Sequence, residues 1–210
     1  MIPAVAVIAK APQPGRSKTR LCPPLTPAQA AVLAEAALRD TLAEVAAIEG
    51  ARKVILLDGH AGPWLPDDFE VLGQAGGGLD ERLANAFADL AGPALIIAMD
   101  TPQVRRQTLQ TGLERLADSP AVLGPTADGG YWAVGLQRPD PRALLGVPMS
   151  TPHTLRAQRT RLLELGLRVA ELERLRDVDT FLDAVDVAAS TPSGMFAAAL
   201  ADLHVGRAAA

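Results

Sequence analysis

Residues 2–9, IPAVAVIA, are apolar and rich in β-branched side chains, and the basic stretch Lys10–Leu21, KAPQPGRSKTRL, follows without a break. A buried strand that opens directly into a glycine-containing basic loop constrains the chain more than any other feature. It is the way α/β proteins commonly meet phosphate. Gly15 lets the backbone approach a ligand, and Lys10, Arg16, Lys18 and Arg20 bring positive charge. Arg forks two oxygens while Lys acts as a compact point charge, a mixture that suits a polyphosphate. Neither of the two common phosphate motifs, GxxxxGKS/T or GxGxxG, is present. A solvated basic loop at a domain edge would have the same spacing, so a phosphate role needs partners elsewhere in the chain.

Periodicity supplies the frame for such partners. Strands are predicted at 3–9, 52–57, 69–73, 94–98, 121–124, 131–135 and 167–171, and helices at 27–48, 79–91, 103–117, 152–165, 179–189 and 192–203. Strand and helix alternate, and the runs 52–57 and 94–98 are continuously apolar, as in central strands covered on both faces. Thr26-Pro27 starts the first helix with an N-cap and a proline at N1. The expectation is an α/β fold with a mostly parallel sheet, one domain over 1–205 and a frayed tail at 206–210. Segment 136–151 is expected to form a flap over one face. The apolar C-terminal helix MFAAALADL is expected either to cover the sheet or to pair with a second copy.

In such a sheet the ligand site lies at the carboxyl ends of the strands. The basic loop leaves the first strand there, and Asp100 and Asp128 follow the strands 94–98 and 121–124. Asp177 and Asp179, at i and i+2 in an extended segment, point the same way. Together with Asp100 they are a candidate site for a hard cation that shares its shell with phosphate oxygens. Each also has a plainer reading, Asp100 and Asp179 being candidate caps of the helices that follow them. Asp128-Gly129-Gly130 before Tyr131 and Trp132 is a tight turn that lets a substrate lie against backbone, although Trp132 reads equally as a core aromatic. Gln74, ahead of Gly76-Gly77-Gly78 and a helix start, has the paired donor and acceptor needed to read a base; a flexible glycine turn is the alternative.

Composition excludes several classes. With a formal net charge of -4 over 210 residues, a general nucleic-acid surface is not expected. The single cysteine, Cys22, excludes an intramolecular disulfide and reads as a small buried hydrophobe in a reducing compartment. No apolar run of about twenty residues exists and no secretory leader is evident, so a cytoplasmic protein without a membrane span is expected. His60, His153 and His204 stand in no metal-like or triad-like pattern, and there is no GxSxG elbow, which disfavours a covalent hydrolase.

KAPQPGRSKTRL, QAGGGLDER, MDTP, GPTADGGYWAVGL and DVDT occur in this order between Lys10 and about Thr180. Together they resemble the bacterial family of domain of unknown function 2064, a glycosyltransferase-like group of the nucleotide-diphospho-sugar transferase superfamily. The resemblance implies a Rossmann-like GT-A three-layer αβα sandwich. It implies phosphates on Lys10, Gly15, Lys18, Thr19 and Arg20, a base near Gln74 and Gly77, and an acceptor against Asp128, Gly129, Gly130 and Tyr131. It also implies Mg²⁺ or Mn²⁺ on Asp100, Asp177 and Asp179. The chain departs from the family pattern at Ala98-Met99 before Asp100, at Asp80, and at Met149 before Ser150-Thr151. The implied activity is nucleotidyl transfer from a nucleoside triphosphate to a small acceptor, with Lys18, Arg20 and Asp100 catalytic. Glycosyl transfer from a nucleotide-diphospho-sugar and non-catalytic nucleotide binding are the alternatives.

Overall fold

The computed structural model describes residues 1–203; the expected frayed tail and His204 lie outside them. Seven strands form one sheet: β1 (Ala4–Lys10), β2 (Arg52–Asp58), β3 (Glu70–Gly73), β4 (Ala94–Ala98), β5 (Ala121–Pro125), β6 (Tyr131–Leu136) and β7 (Val169–Glu171). Their spatial order is β3-β2-β1-β4-β6-β5-β7, and β6 alone runs antiparallel to its neighbours. The carboxyl ends of β1, β4, β5 and β7 therefore share one edge, which gathers the loops that follow them.

Six α-helices accompany the sheet: α1 (Pro27–Ala46), α2 (Leu79–Leu90), α3 (Arg106–Asp118), α4 (Thr154–Glu164), α5 (Phe181–Ser190) and α6 (Met195–Asp202). Alternate residues of β1 serve the two faces. Val5, Val7 and Ala9 pack with Leu38 and Leu42 of α1 and Leu109 of α3. Ala4 and Ala6 pack with Leu83 and Phe87 of α2 and Leu162 of α4. A strand buried on both faces reads as a continuous apolar run, which is why 2–9 shows no alternation.

The C-terminal helix does not cover the sheet. α6 lies with α5 on the outer side of α1, where Phe196, Val187 and Leu33 are buried together. Helix α1 is thus buried on two sides, and its alanines at 30, 31, 34, 36 and 37 allow both approaches. Asp40 of α1 fastens the arrangement by accepting from the N–H groups of Met195 and Phe196 at 2.9 and 2.8 Å, a carboxylate on the free donors of a helix start. Cys22 packs partly buried against this third cluster. None of the described helices is long and apolar enough to cross a membrane.

Four helix starts fall later than expected, at Arg106, Thr154, Phe181 and Met195 instead of 103, 152, 179 and 192. Neither Asp100 nor Asp179 caps a helix. The first free donor of α3, Arg106 N–H, is met by Glu44 of α1 at 2.6 Å. Helix α5 is capped by Thr180, which exchanges hydrogen bonds with Asp183 in a capping box. Both aspartates are left to other partners.

One close approach fixes the β5–β6 hairpin. Gly129 has φ 94°, and a Cβ there would stand 2.1 Å from the carbonyl oxygen of Pro152, ahead of α4. Gly129→Ala is expected to cost about 2–3 kcal/mol through the clash and the strained φ, or about 4–12 °C in Tm for a chain of this size. A melting curve that matches the wild type would contradict this packing.

Candidate functional site

The loop after β1 folds on itself before it reaches any ligand. Ser17, buried, donates its hydroxyl to the carbonyl of Ala11 at 3.0 Å and accepts from Gln13 N–H at 3.2 Å. The N–H groups of Arg16 and Ser17 both donate to the carbonyl of Gln13. Gly15 (φ 73°) makes the left-handed turn this requires. Lys18 also sits in the left-handed region, at φ 51°. The result is an open cavity of about 320 Å³, lined on the cationic side by Lys10, Arg16, Lys18, Thr19 and Arg20.

Lys18 points across this cavity to the strand ends. Its Nζ lies 2.8 Å from Asp100 Oδ2, 3.3 Å from Asp179 Oδ1 and 2.5 Å from the carbonyl oxygen of Val178. The side chain is 14% exposed. Burial alone would lower the pKa of this ammonium, but Asp100 and then Asp179 outweigh it and hold the group above the usual lysine range. Arg20 Nη1 reaches the other oxygen of Asp179 at 2.7 Å. The segment itself is tied in by Val178 N–H, which donates to the carbonyl of Asp100 at 2.9 Å. Val178 is buried, so its neighbours Asp177 and Asp179 face the other way, as their i, i+2 spacing implies.

On the far side of this ionic cluster lies a second cavity, of about 390 Å³. Asp100, Asp128, Asp177 and Asp179 line it, with Gly130 and Tyr131 on the hairpin and Met149, Ser150, Thr151 and Thr154 on the opposite wall. Among the described residues Asp177 has no cationic partner comparable to Lys18. Burial first, then the charges of Asp128, Asp100 and Asp179, push its pKa up to about 6. Asp128 Oδ1 accepts from Thr126 Oγ1 at 2.5 Å and from Gly130 N–H at 2.9 Å, which fixes the carboxylate on its turn. Tyr131 OH lies 3.3 Å from Gln158 Oε1, and burial and then the charge of Asp80 raise its pKa.

Most of the sequence-predicted residues thus meet at one sheet edge, but not all in the expected roles. Gln74 is not free to read a base. Its amide nitrogen donates to the carbonyls of Ala9 and Leu56, at 2.8 and 2.9 Å, and so locks β1 and β2 together where they end. The N–H of Gly77 is taken by Glu81 Oε2 at 2.7 Å. Neither residue lines either cavity. Lys18 contacts carboxylates where a phosphate contact was expected, and Gly15 shapes the loop without lining its cavity. Trp132 is a core residue whose indole N–H donates to the carbonyl of Glu173. Ser17 and Thr126 were not anticipated; both act by orienting neighbours, and nothing in their spacing marks them out. Among the described residues no three His, Cys, Asp or Glu side chains form a ready-made metal-ligand group. Asp100 and Asp179 nevertheless already hold a cation, the Lys18 ammonium, so the donor set fits a hard divalent ion in chemistry and charge.

The strained charge on Asp177 has a measurable consequence. A carboxyl whose folded pKa is raised stabilises the fold at low pH, and that contribution is lost as pH rises from about 4 to about 6. Asp177→Asn is therefore expected to stabilise the protein in chelator-containing buffer at pH 7.5 by on the order of 1 kcal/mol, discounted for partial exposure, with the gain vanishing near pH 4. Denaturant midpoints at the two pH values measure it; equal midpoints at pH 7.5 would refute the crowding.

Comparison with known proteins agrees with this fold. A structure from Desulfovibrio desulfuricans G20, provisionally named a nucleotide-diphospho-sugar transferase, matches with TM-score 0.84 and 25% identity over 95% of this chain and 94% of that one. CMP:2-keto-3-deoxy-manno-octonic acid synthetase complexed with CTP matches with TM-score 0.58 and 13% identity over 91% and 99% of the two chains. Rv0371C of Mycobacterium tuberculosis H37Rv, complexed with manganese, matches with TM-score 0.52 and 20% identity over 91% and 100%. The last two likenesses are of fold. No curated protein sequence matches. Residues 30–151 match the family described as "Uncharacterized protein conserved in bacteria (DUF2064)", and the chain belongs to that family.

Proposed function

We propose that this transferase is a metal-dependent nucleotidyltransferase, which moves a nucleotidyl group from a nucleoside triphosphate to a small acceptor and releases pyrophosphate. The observation that carries the reading is the meeting of two cavities of opposite charge at one partition. Lys10, Arg16 and Thr19 line the first, Asp128 and Asp177 line the second, and Arg20, Asp100 and Asp179 line both. A triphosphate on the basic side has its α-phosphorus at the partition, with an acceptor on the acidic side in line for attack. The CTP bound by one neighbour of the same fold supports a nucleotide here.

Asp100, Asp177 and Asp179 are the residues that would hold Mg²⁺ or Mn²⁺; the manganese bound by another neighbour supports a divalent ion. Bound there, the ion supplies charge neutralisation at the phosphate oxygens. The chain's own groups do the rest. Lys10 and Arg16 anchor the outer phosphates, and Arg20 screens the leaving pyrophosphate. Lys18, once a ligand draws it off the carboxylates, meets the phosphate charge that develops as the bond breaks. No covalent nucleophile is required.

A second reading, glycosyl transfer, has one observation in its favour, the provisional name of the Desulfovibrio desulfuricans neighbour. The same cavities would then hold a diphosphate leaving group and a sugar. Thermal-shift screening of nucleoside triphosphates and nucleotide sugars, with and without Mg²⁺ or Mn²⁺, separates the two. A metal-dependent rise with one triphosphate is expected, about 2.7 kcal/mol at a hundred times Kd. Pyrophosphate release should fall by at least about a hundredfold in Asp100→Ala. Response to a sugar nucleotide alone would establish the second reading.

Lys18→Met tests the cluster without any substrate. It leaves two carboxylates facing each other, so the variant is expected to lose about 2–3 kcal/mol in chelator. Added Mn²⁺ should then recover more of its Tm than it adds to the wild type. An equal response in both proteins would show that the ion does not bind between Asp100 and Asp179.

A further inference from the structure

The two cavities differ in what they offer an anion. The loop cavity has four cationic side chains, at Lys10, Arg16, Lys18 and Arg20. In the acidic cavity, among the described residues, the one cation on the lining is Arg20, and its guanidinium is already on Asp179 at the partition. Four carboxylates line the same space against that one guanidinium.

Backbone donors do not make up the deficit. Two helices begin beside this cavity, and a helix start is the usual substitute for a cation. At α4 the first two N–H groups are engaged within the protein. Thr154 N–H donates to Thr151, and Leu155 N–H donates to Gly129 at 2.9 Å. At α2 the first turn carries Asp80 and Glu81, and Glu81 itself takes the Gly77 N–H. Both starts are thus taken up in part by the protein's own groups.

What the cavity does offer is acceptors. Asp128 uses Oδ1 for Thr126 and Gly130, while Oδ2 has no hydrogen-bond partner among the described residues. Ser150, on the opposite wall with φ 57°, brings a hydroxyl that is likewise without a partner there. Tyr131 and Met149 add apolar surface between them.

We infer that the acceptor, under the nucleotidyl-transfer reading on which this rests, brings a hydroxyl group and no phosphate or carboxylate, so that its class is that of polyols and other non-anionic alcohols. Its hydroxyl oxygen forms a bond to the α-phosphorus, and the bond from that phosphorus to the bridging oxygen of pyrophosphate breaks. The hydroxyl proton passes to Asp128 Oδ2 and on to water, and the product is a nucleoside 5′-phosphodiester. A phosphate monoester would enter a space where carboxylates outnumber the single guanidinium, which is itself already on Asp179.

Matched acceptor pairs test this with the full chain, Mg²⁺ and the four common triphosphates. Glycerol and glycerol 3-phosphate, erythritol and erythritol 4-phosphate, and ribitol and ribitol 5-phosphate are compared by mass spectrometry of the nucleotidylated product. The unphosphorylated member should react at least about tenfold faster. Faster reaction of the phosphorylated member would overturn the inference and leave nucleotidyl transfer standing. If no pair reacts, titration of inorganic phosphate decides, independently of turnover. Binding to the wild type that disappears in Lys10→Ala/Arg16→Ala places the anion on the loop and supports the inference. Binding that survives those changes and disappears in Ser150→Val overturns it. Absence of phosphate binding to the wild type counts against the phosphate loop of the proposed function, and the inference falls with it.

Discussion

Three stretches of chain far apart in sequence are joined by one ammonium group. Lys18 holds Asp100, Asp179 and the carbonyl of Val178 at once, and so connects the loop after β1 to the end of β4 and to the segment before α5. Two carboxylates brought this close would repel each other strongly without it. The ion cluster is also the wall between two cavities of opposite character. The position of the loop, the spacing of the aspartates and the division of the site into two halves all follow from it.

The arrangement leaves one carboxylate badly placed. Asp177 faces other acids and, among the described residues, has no cation comparable to Lys18, and its raised pKa records the cost. Sites that act on highly charged ligands commonly hold such unsatisfied charge, because the ligand or its ion completes the balance. Charge crowding thus costs stability at Asp177, whereas at Asp100 and Asp179 the Lys18 ammonium balances the charge internally.

The seven strands and six helices of the described residues could be read from the sequence, because β1, β2 and β4 are covered on both faces and form continuous apolar runs that alternate with longer helical segments. The convergence of Lys18, Asp100, Asp128 and Asp177 at one edge could be read as well, since strand direction alone dictates it. What could not be read was which partner each side chain would choose. Gln74 has the hydrogen-bonding groups to recognise a base, yet two strand-end carbonyls lie nearer. Asp179 precedes a helix, yet Thr180 caps it through Asp183. Helix α3 starts at Arg106 because Glu44, on another helix, supplies the acceptor. Each of these outcomes depends on tertiary distance, which local spacing does not encode.

The two walls of the site are built with different stiffness. On the hairpin side, the close approach of Gly129 to Pro152 and the hydrogen bond from Leu155 N–H to Gly129 merge the β5–β6 turn and the entrance of α4 into one piece. The opposite wall is a loop gathered around Ser17 and anchored at its far end by the Lys18 ion pairs, for which a phosphate would compete under the proposed function. Under the proposed nucleotidyl transfer, tightening around the nucleotide would come from the basic loop folding inward, against a hairpin wall that would serve as a fixed template for the acceptor.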